Sequence, residues 1–84
     1  MMEKFKIMLN SINDVKQFVA AASARPCDID VVSGRYIIDA KSIMGIFSID
    51  LSKPVSVEVH GTSEDLAAFK ADIEQFIVGE GDDE

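Results

Sequence analysis

Ser42, Asp14, His60 and Cys27 are the side chains of this chain with chemistry to offer. Ser42 stands directly before the apolar stretch 43–51, in the position of a helix N-cap. A hydroxyl there faces unpaired backbone amides and the positive end of a helix dipole, so a phosphate added to it would be stabilised rather than repelled. Plain capping explains the same serine without any modification. Asp14 follows Ser11 by three residues, as the acid of a capping box does. Its chemical alternative is to accept a phosphoryl group as an acyl phosphate, but such acceptors need magnesium and further carboxylates, and no such cluster is legible around it. His60 is the single histidine and alternates with Ser56 and Glu58 along a strand pattern, away from any helix start that would hold an attached phosphate. Cys27 is also single, so it forms no internal disulfide, and one cysteine with one histidine makes no structural zinc site. It reads as a small buried or edge residue. Neither a metal site nor a cofactor is expected.

The elements that must position these residues follow from periodicity. Phe5, Ile7 and Leu9 alternate with Lys4 and Lys6, the pattern of a strand covered on one side. After Ser11, the spacing of Val15, Phe18, Val19 and Ala22 predicts a helix over about 12–24, which Pro26 cannot continue. Residues 29–32 and 35–38 then read as two short strands around Ser33 and Gly34, a glycine placed for the positive backbone angles of a tight hairpin. Ser42 opens a helix of about two turns within 43–51. Val55, Val57 and Val59 mark a fourth strand, closed by Gly61. Thr62 with Asp65 makes a second capping pattern, and Leu66, Phe69, Ile73, Phe76 and Ile77 trace a last helix through Val78. Gly79 stops it. The expected domain is 1–78, with 79–84 an acidic, disordered tail.

Four one-sided strands and two main helices suit an α+β, two-layer sandwich: an antiparallel four-stranded sheet with helices on one face, in the order βαββαβα. Periodicity fits a ferredoxin-like arrangement almost as well, and the short helix before the last strand favours the other topology.

With 84 residues, 48% of them hydrophobic, the chain can build one core and a shallow surface site, but not a deep, walled active site. The net charge is −7, four units of which come from Glu80, Asp82, Asp83 and Glu84. Its eight lysines and arginines are scattered singly, which argues against direct nucleic-acid binding and against a polybasic membrane patch. The longest apolar run, 18–22, is far short of the roughly 18 residues of a membrane span, and Met-Met-Glu-Lys is no signal-peptide start. A cytoplasmic protein without a membrane partner is expected.

Residues 41–50, KSIMGIFSID, resemble the HPr phosphocarriers of the bacterial sugar phosphotransferase system, in which a serine followed by Ile-Met-Gly opens a short second helix that partners dock on. The resemblance runs through Leu51 and, more weakly, across most of 3–78. It implies the HPr-like, open-faced sandwich. It also implies that Ser42 matches the serine that a dedicated kinase phosphorylates in many relatives, whose phosphorylated form acts as a corepressor of a transcription factor. Ile43, Met44 and Phe47 would form the exposed docking side, with Ile46 and Ile49 facing inward. The family's phosphate-carrying histidine opens the first helix, followed by Ala, Arg and Pro. Here Asp14 falls at the histidine position, Lys16 at the arginine and Gln17 at the proline, so the catalytic signature is absent. Ala24-Arg25-Pro26 lies at the wrong end of the helix, where the dipole is negative, and reads as a helix stop.

The kept serine motif and the missing histidine together suggest a non-catalytic regulator or adaptor rather than an enzyme, docking through its second helix and controlled at Ser42. Its expected partners are proteins: a phosphotransferase-system enzyme, a serine kinase or a transcription factor. One alternative is a phosphocarrier with a non-standard acceptor, Asp14 or His60. Another is a small-molecule-binding domain of ferredoxin-like topology, disfavoured by the lack of glycine-rich phosphate loops and clustered polar residues. The apolar surface around the second helix has its own competing explanation, burial in a self-associating interface.

Overall fold

The structure, a computed structural model, describes residues 2–80. The chain runs β1 (Met2–Ile7), α1 (Ile12–Ser23), β2 (Asp28–Ser33), β3 (Tyr36–Asp39), α2 (Ile43–Phe47), β4 (Val55–His60), α3 (Ser63–Asp72), one 3-10 turn (Glu74–Phe76) and β5 (Ile77–Glu80). The strands form one sheet in the order β3-β2-β4-β1-β5, every neighbouring pair antiparallel. Alternation sends Phe5, Ile7, Ile29, Val31, Val55, Val57 and Val59 to one face, where the helices cover them. The opposite face carries Lys4, Lys6, Asp30, Glu58 and His60 and, among the described residues, no helix. This is the open-faced α+β sandwich that the sequence predicted.

Aromatic packing joins the two long helices to the sheet. The ring of Phe69 in α3 lies edge-on to Phe18 of α1, centroids 5.7 Å apart, and tilted 6.4 Å from Phe5 of β1. All three rings are fully buried, and no polar side chain is buried among the described residues. Cutting Phe69 back to Ala would cost about 3–5 kcal/mol, the usual penalty for an aromatic cavity.

The C-terminal segment corrects the predicted helix through Val78. α3 ends at Asp72, the next turn is 3-10, and residues 77–80 pair with β1 as a fifth strand. Ile73 and Phe76 are both buried, a spacing of three that serves a 3-10 turn as well as an α-helix. Without β5 the outer backbone groups of β1 would form a bare edge, and the β-branched pair Ile77-Val78 is suited to closing it. The Met8 N–H extends the closure by donating to the Phe76 carbonyl at 2.9 Å. Gly79 and Glu80, expected in the acidic tail, therefore belong to the sheet, and the rest of that tail lies outside the described residues.

Local signals behaved as their chemistry required elsewhere. Gly34 has φ of +61° in the turn between β2 and β3, the left-handed region that side chains avoid. Thr62 and Asp65 complete a reciprocal capping box at the start of α3. Among the described residues no helix is long and apolar enough to cross a membrane.

Candidate functional site

Ser42 is the N-cap of α2. Its backbone is extended (φ −101°, ψ 100°), and its Oγ accepts the Gly45 N–H at 3.2 Å. The Ser42 N–H donates to the Asp39 carbonyl at 2.9 Å, which fastens the helix start to the end of β3. Lys41 adds a second tether, its Nζ donating to the Arg25 carbonyl at 2.9 Å. Ser42 itself is solvent-exposed, so the hydroxyl is accessible although it caps.

Five residues are too few for a helix to persist on its own, so packing must hold α2 in place. Ile46 supplies it, fully buried, with Ile43, Ile49 and Leu51 packed around the core at its margin. What remains faces outward: Met44 is 77% exposed and Phe47 42%. Of the three residues expected on the outer side, Met44 and Phe47 are there, whereas Ile43 is half-buried against the core. Ile46 is fully inward and Ile49 partly so.

A groove of about 440 Å³ separates the C-terminal end of α2 from the N-terminus of α1, lined by Asn10, Ile12, Val15, Phe47, Leu51 and Ser52. Ile12, 64% exposed, is its outermost apolar residue on the α1 side. Ile12 escaped sequence reasoning because it lies outside the stripe of Val15, Phe18 and Ala22, and that departure from the buried stripe was the available signal.

Asp14 sits at the same helix start and is occupied there. Its backbone N–H donates to Ser11 Oγ at 3.1 Å, and its Oδ2 accepts the Asn10 N–H at 3.0 Å. The carboxylate thus satisfies a loop amide at the positive helix end, a capping function. No group of three metal-binding side chains forms around it among the described residues. His60 stands on the far, helix-free face of the sheet, its Nε2 3.1 Å from Asp30 Oδ2 and 3.9 Å from Glu58 Oε1. The structure therefore brings α1 and α2 together around the groove but leaves His60 apart from both Ser42 and Asp14.

Residues 24–26 stop α1, as read from the sequence. Ala24 is the C-cap, and the Arg25 guanidinium reaches Asp65 at the start of α3, with 3.8 Å between Nη1 and Oδ1. Cys27 is a half-buried free thiol.

Comparison with known proteins agrees with this geometry. The family model described as "PTS HPr component phosphorylation site" matches residues 13–78. Among solved structures, the chain is similar to HPr-C-His from Thermoanaerobacter tengcongensis, with 28% identity, a TM-score of 0.70 and coverage of 89% of this chain and 92% of that one. It is also similar to a phosphocarrier protein HPr from Bacillus anthracis str. Ames, with 25% identity, a TM-score of 0.64 and coverage of 84% and 95%. No curated protein sequence gives a significant match. Proteins of the HPr family are phosphocarriers rather than enzymes in their own right, and they interact with other proteins of the phosphotransferase system. The resemblance first carried by KSIMG is thus a family relationship extending over the fold: the chain belongs to the PTS HPr family.

Proposed function

We propose that this chain is a regulatory adaptor of the HPr family, which docks partner proteins through α2 and the adjoining groove and is switched at Ser42 instead of carrying phosphate on a histidine. The observation that supports it is the exposure of Met44 and Phe47 immediately after an accessible N-cap serine. Flexible Met and flat aromatic surface suit transient protein contacts, and Ile12 continues that surface across the groove. Asp14, which the sequence resemblance aligns with the family's histidine, is the third residue of α1, and its carboxylate is already used in capping. The sole histidine ends β4 with its ring against Asp30, and the nearby start of α3 is already capped by the Thr62–Asp65 box.

Phosphorylation of Ser42 would put about two negative charges at the positive end of α2, where the Gly45 amide already points at the hydroxyl. The fold would tolerate that charge. Its effect would fall on the partner, which meets a dianion beside an apolar patch.

The test is intact mass after separate incubation with the phosphotransferase enzyme plus phosphoenolpyruvate and with the serine kinase plus ATP. The expected result is one phosphate with ATP, absent in Ser42→Ala, and none with phosphoenolpyruvate. A phosphoenolpyruvate-dependent adduct would overturn the reading in favour of a phosphocarrier using Asp14 or His60.

A further inference from the structure

The helix-free face of the sheet holds a constellation that the adaptor function does not use. In the antiparallel pair β2/β4, Asp30 stands opposite Glu58 and Asp28 opposite His60. Because Ile29, Val31, Val57 and Val59 point into the core, these polar residues share the outer face. Cross-strand neighbours have Cβ atoms only about 4.5–5.5 Å apart, so short polar side chains on adjacent strands can converge. Here they do: one ligand atom from each of Asp30, Glu58 and His60 lies within 4.8 Å of the others.

We propose that Asp30, Glu58 and His60 bind one divalent transition-metal ion of the zinc class. Two ligands each about 2.0–2.2 Å from a metal, at angles between octahedral and tetrahedral, stand about 3.0–3.5 Å from one another. His60 Nε2 is 3.1 Å from Asp30 Oδ2 and 3.9 Å from Glu58 Oε1, so small side-chain rotations complete the set. The His60–Asp30 contact accounts for the first distance, and Glu58, two residues before His60 on β4 and also held by Lys4, brings a second carboxylate to the same nitrogen.

The donor types select the ion. An imidazole favours zinc, nickel or copper over magnesium and calcium, and two carboxylates neutralise the dication. Asp28 opposite His60 and Asp39 opposite Asp30 add negative charge at neighbouring register positions. Lys4 is the competing cation, its Nζ 3.5 Å from Glu58 Oε2. The His60, Asp30 and Glu58 side chains are 38%, 31% and 18% exposed, which leaves the ion accessible, exchangeable and open to water or a further ligand. The face lies opposite α2, so metal binding does not depend on the docking function.

His60 is the only histidine, and its ring signals therefore report this site alone. The experiment is a zinc titration of the tag-free full chain, followed by imidazole NMR and by calorimetry. One zinc per chain is expected, with the His60 signals moving to a bound position, unchanged in Cys27→Ser and not reproduced by equal magnesium. His60→Gln should abolish binding, and Asp30→Asn and Glu58→Gln should each weaken it about tenfold or more. Lys4→Met should strengthen it by freeing Glu58. Unmoved His60 signals at millimolar zinc, or undiminished affinity in the His60, Asp30 or Glu58 variant, would overturn the proposal.

Discussion

A Cβ built on Gly45 of α2 would stand 2.6 Å from the Cγ2 methyl of Ile38 on β3. The short helix is thus seated directly on the strand, and that seat sets which residues of 43–47 are left outside. Burial of Ile46 and exposure of Met44 and Phe47 are two consequences of one close approach.

Gly45→Ala tests it. Alanine is intrinsically the better helix former by about 1 kcal/mol, yet it would collide with a β-branched methyl that has little freedom to move. Overpacking of this kind costs about 1–3 kcal/mol, so a net loss of stability is expected in denaturant unfolding. A gain in stability would show that α2 is not held against Ile38.

Ser42→Ala removes the acceptor for the Gly45 amide. A loss of about 1 kcal/mol is expected from thermal or urea unfolding, the usual worth of an N-cap. Ser42→Asp should recover most of it, because a carboxylate also caps and favours the positive helix end.

Met44→Ser and Phe47→Ser separate docking from folding. Met44 is mostly in water, so its replacement should change stability by about 0.5 kcal/mol or less. Partner affinity measured by calorimetry should fall tenfold or more for the pair, about 1.4 kcal/mol or greater. Equal affinity in the double variant would place the docking surface elsewhere.

The loop after α2 contains a pH-sensitive contact. Asp50 accepts hydrogen bonds from the Ser52 hydroxyl at 2.6 Å and the Ser52 N–H at 2.9 Å, which hold its carboxyl below the ordinary value of 3.8. A depressed folded-state value means that this turn stabilises the fold above the ordinary carboxyl range, and that the contribution disappears as pH falls through the folded value. Carboxyl NMR titration should find Asp50 low in the parent and shifted upward in Ser52→Ala, since the hydroxyl bond is the larger cause. An unshifted Asp50 in that variant would contradict the assignment.

What residue order by itself determined is local. Period-two alternation specified β1 and β4, capping chemistry specified the starts of α1, α2 and α3, and Gly34 specified the hairpin turn, because each depends on neighbours a few residues away. KSIMG also carried the family, and with it the HPr-like sandwich. Tertiary structure decided the rest. Residues 73–78 show helical spacing, but the open edge of β1 offers unpaired backbone groups that a strand satisfies and a helix would not, so β5 forms. Ile12 became a wall of the groove only when α1 and α2 came together, and Ile43 turned partly inward because α2 sits so close to β3. Asp30 and His60, thirty residues apart, meet through the register of β2 on β4, a long-range pairing that no local pattern encodes.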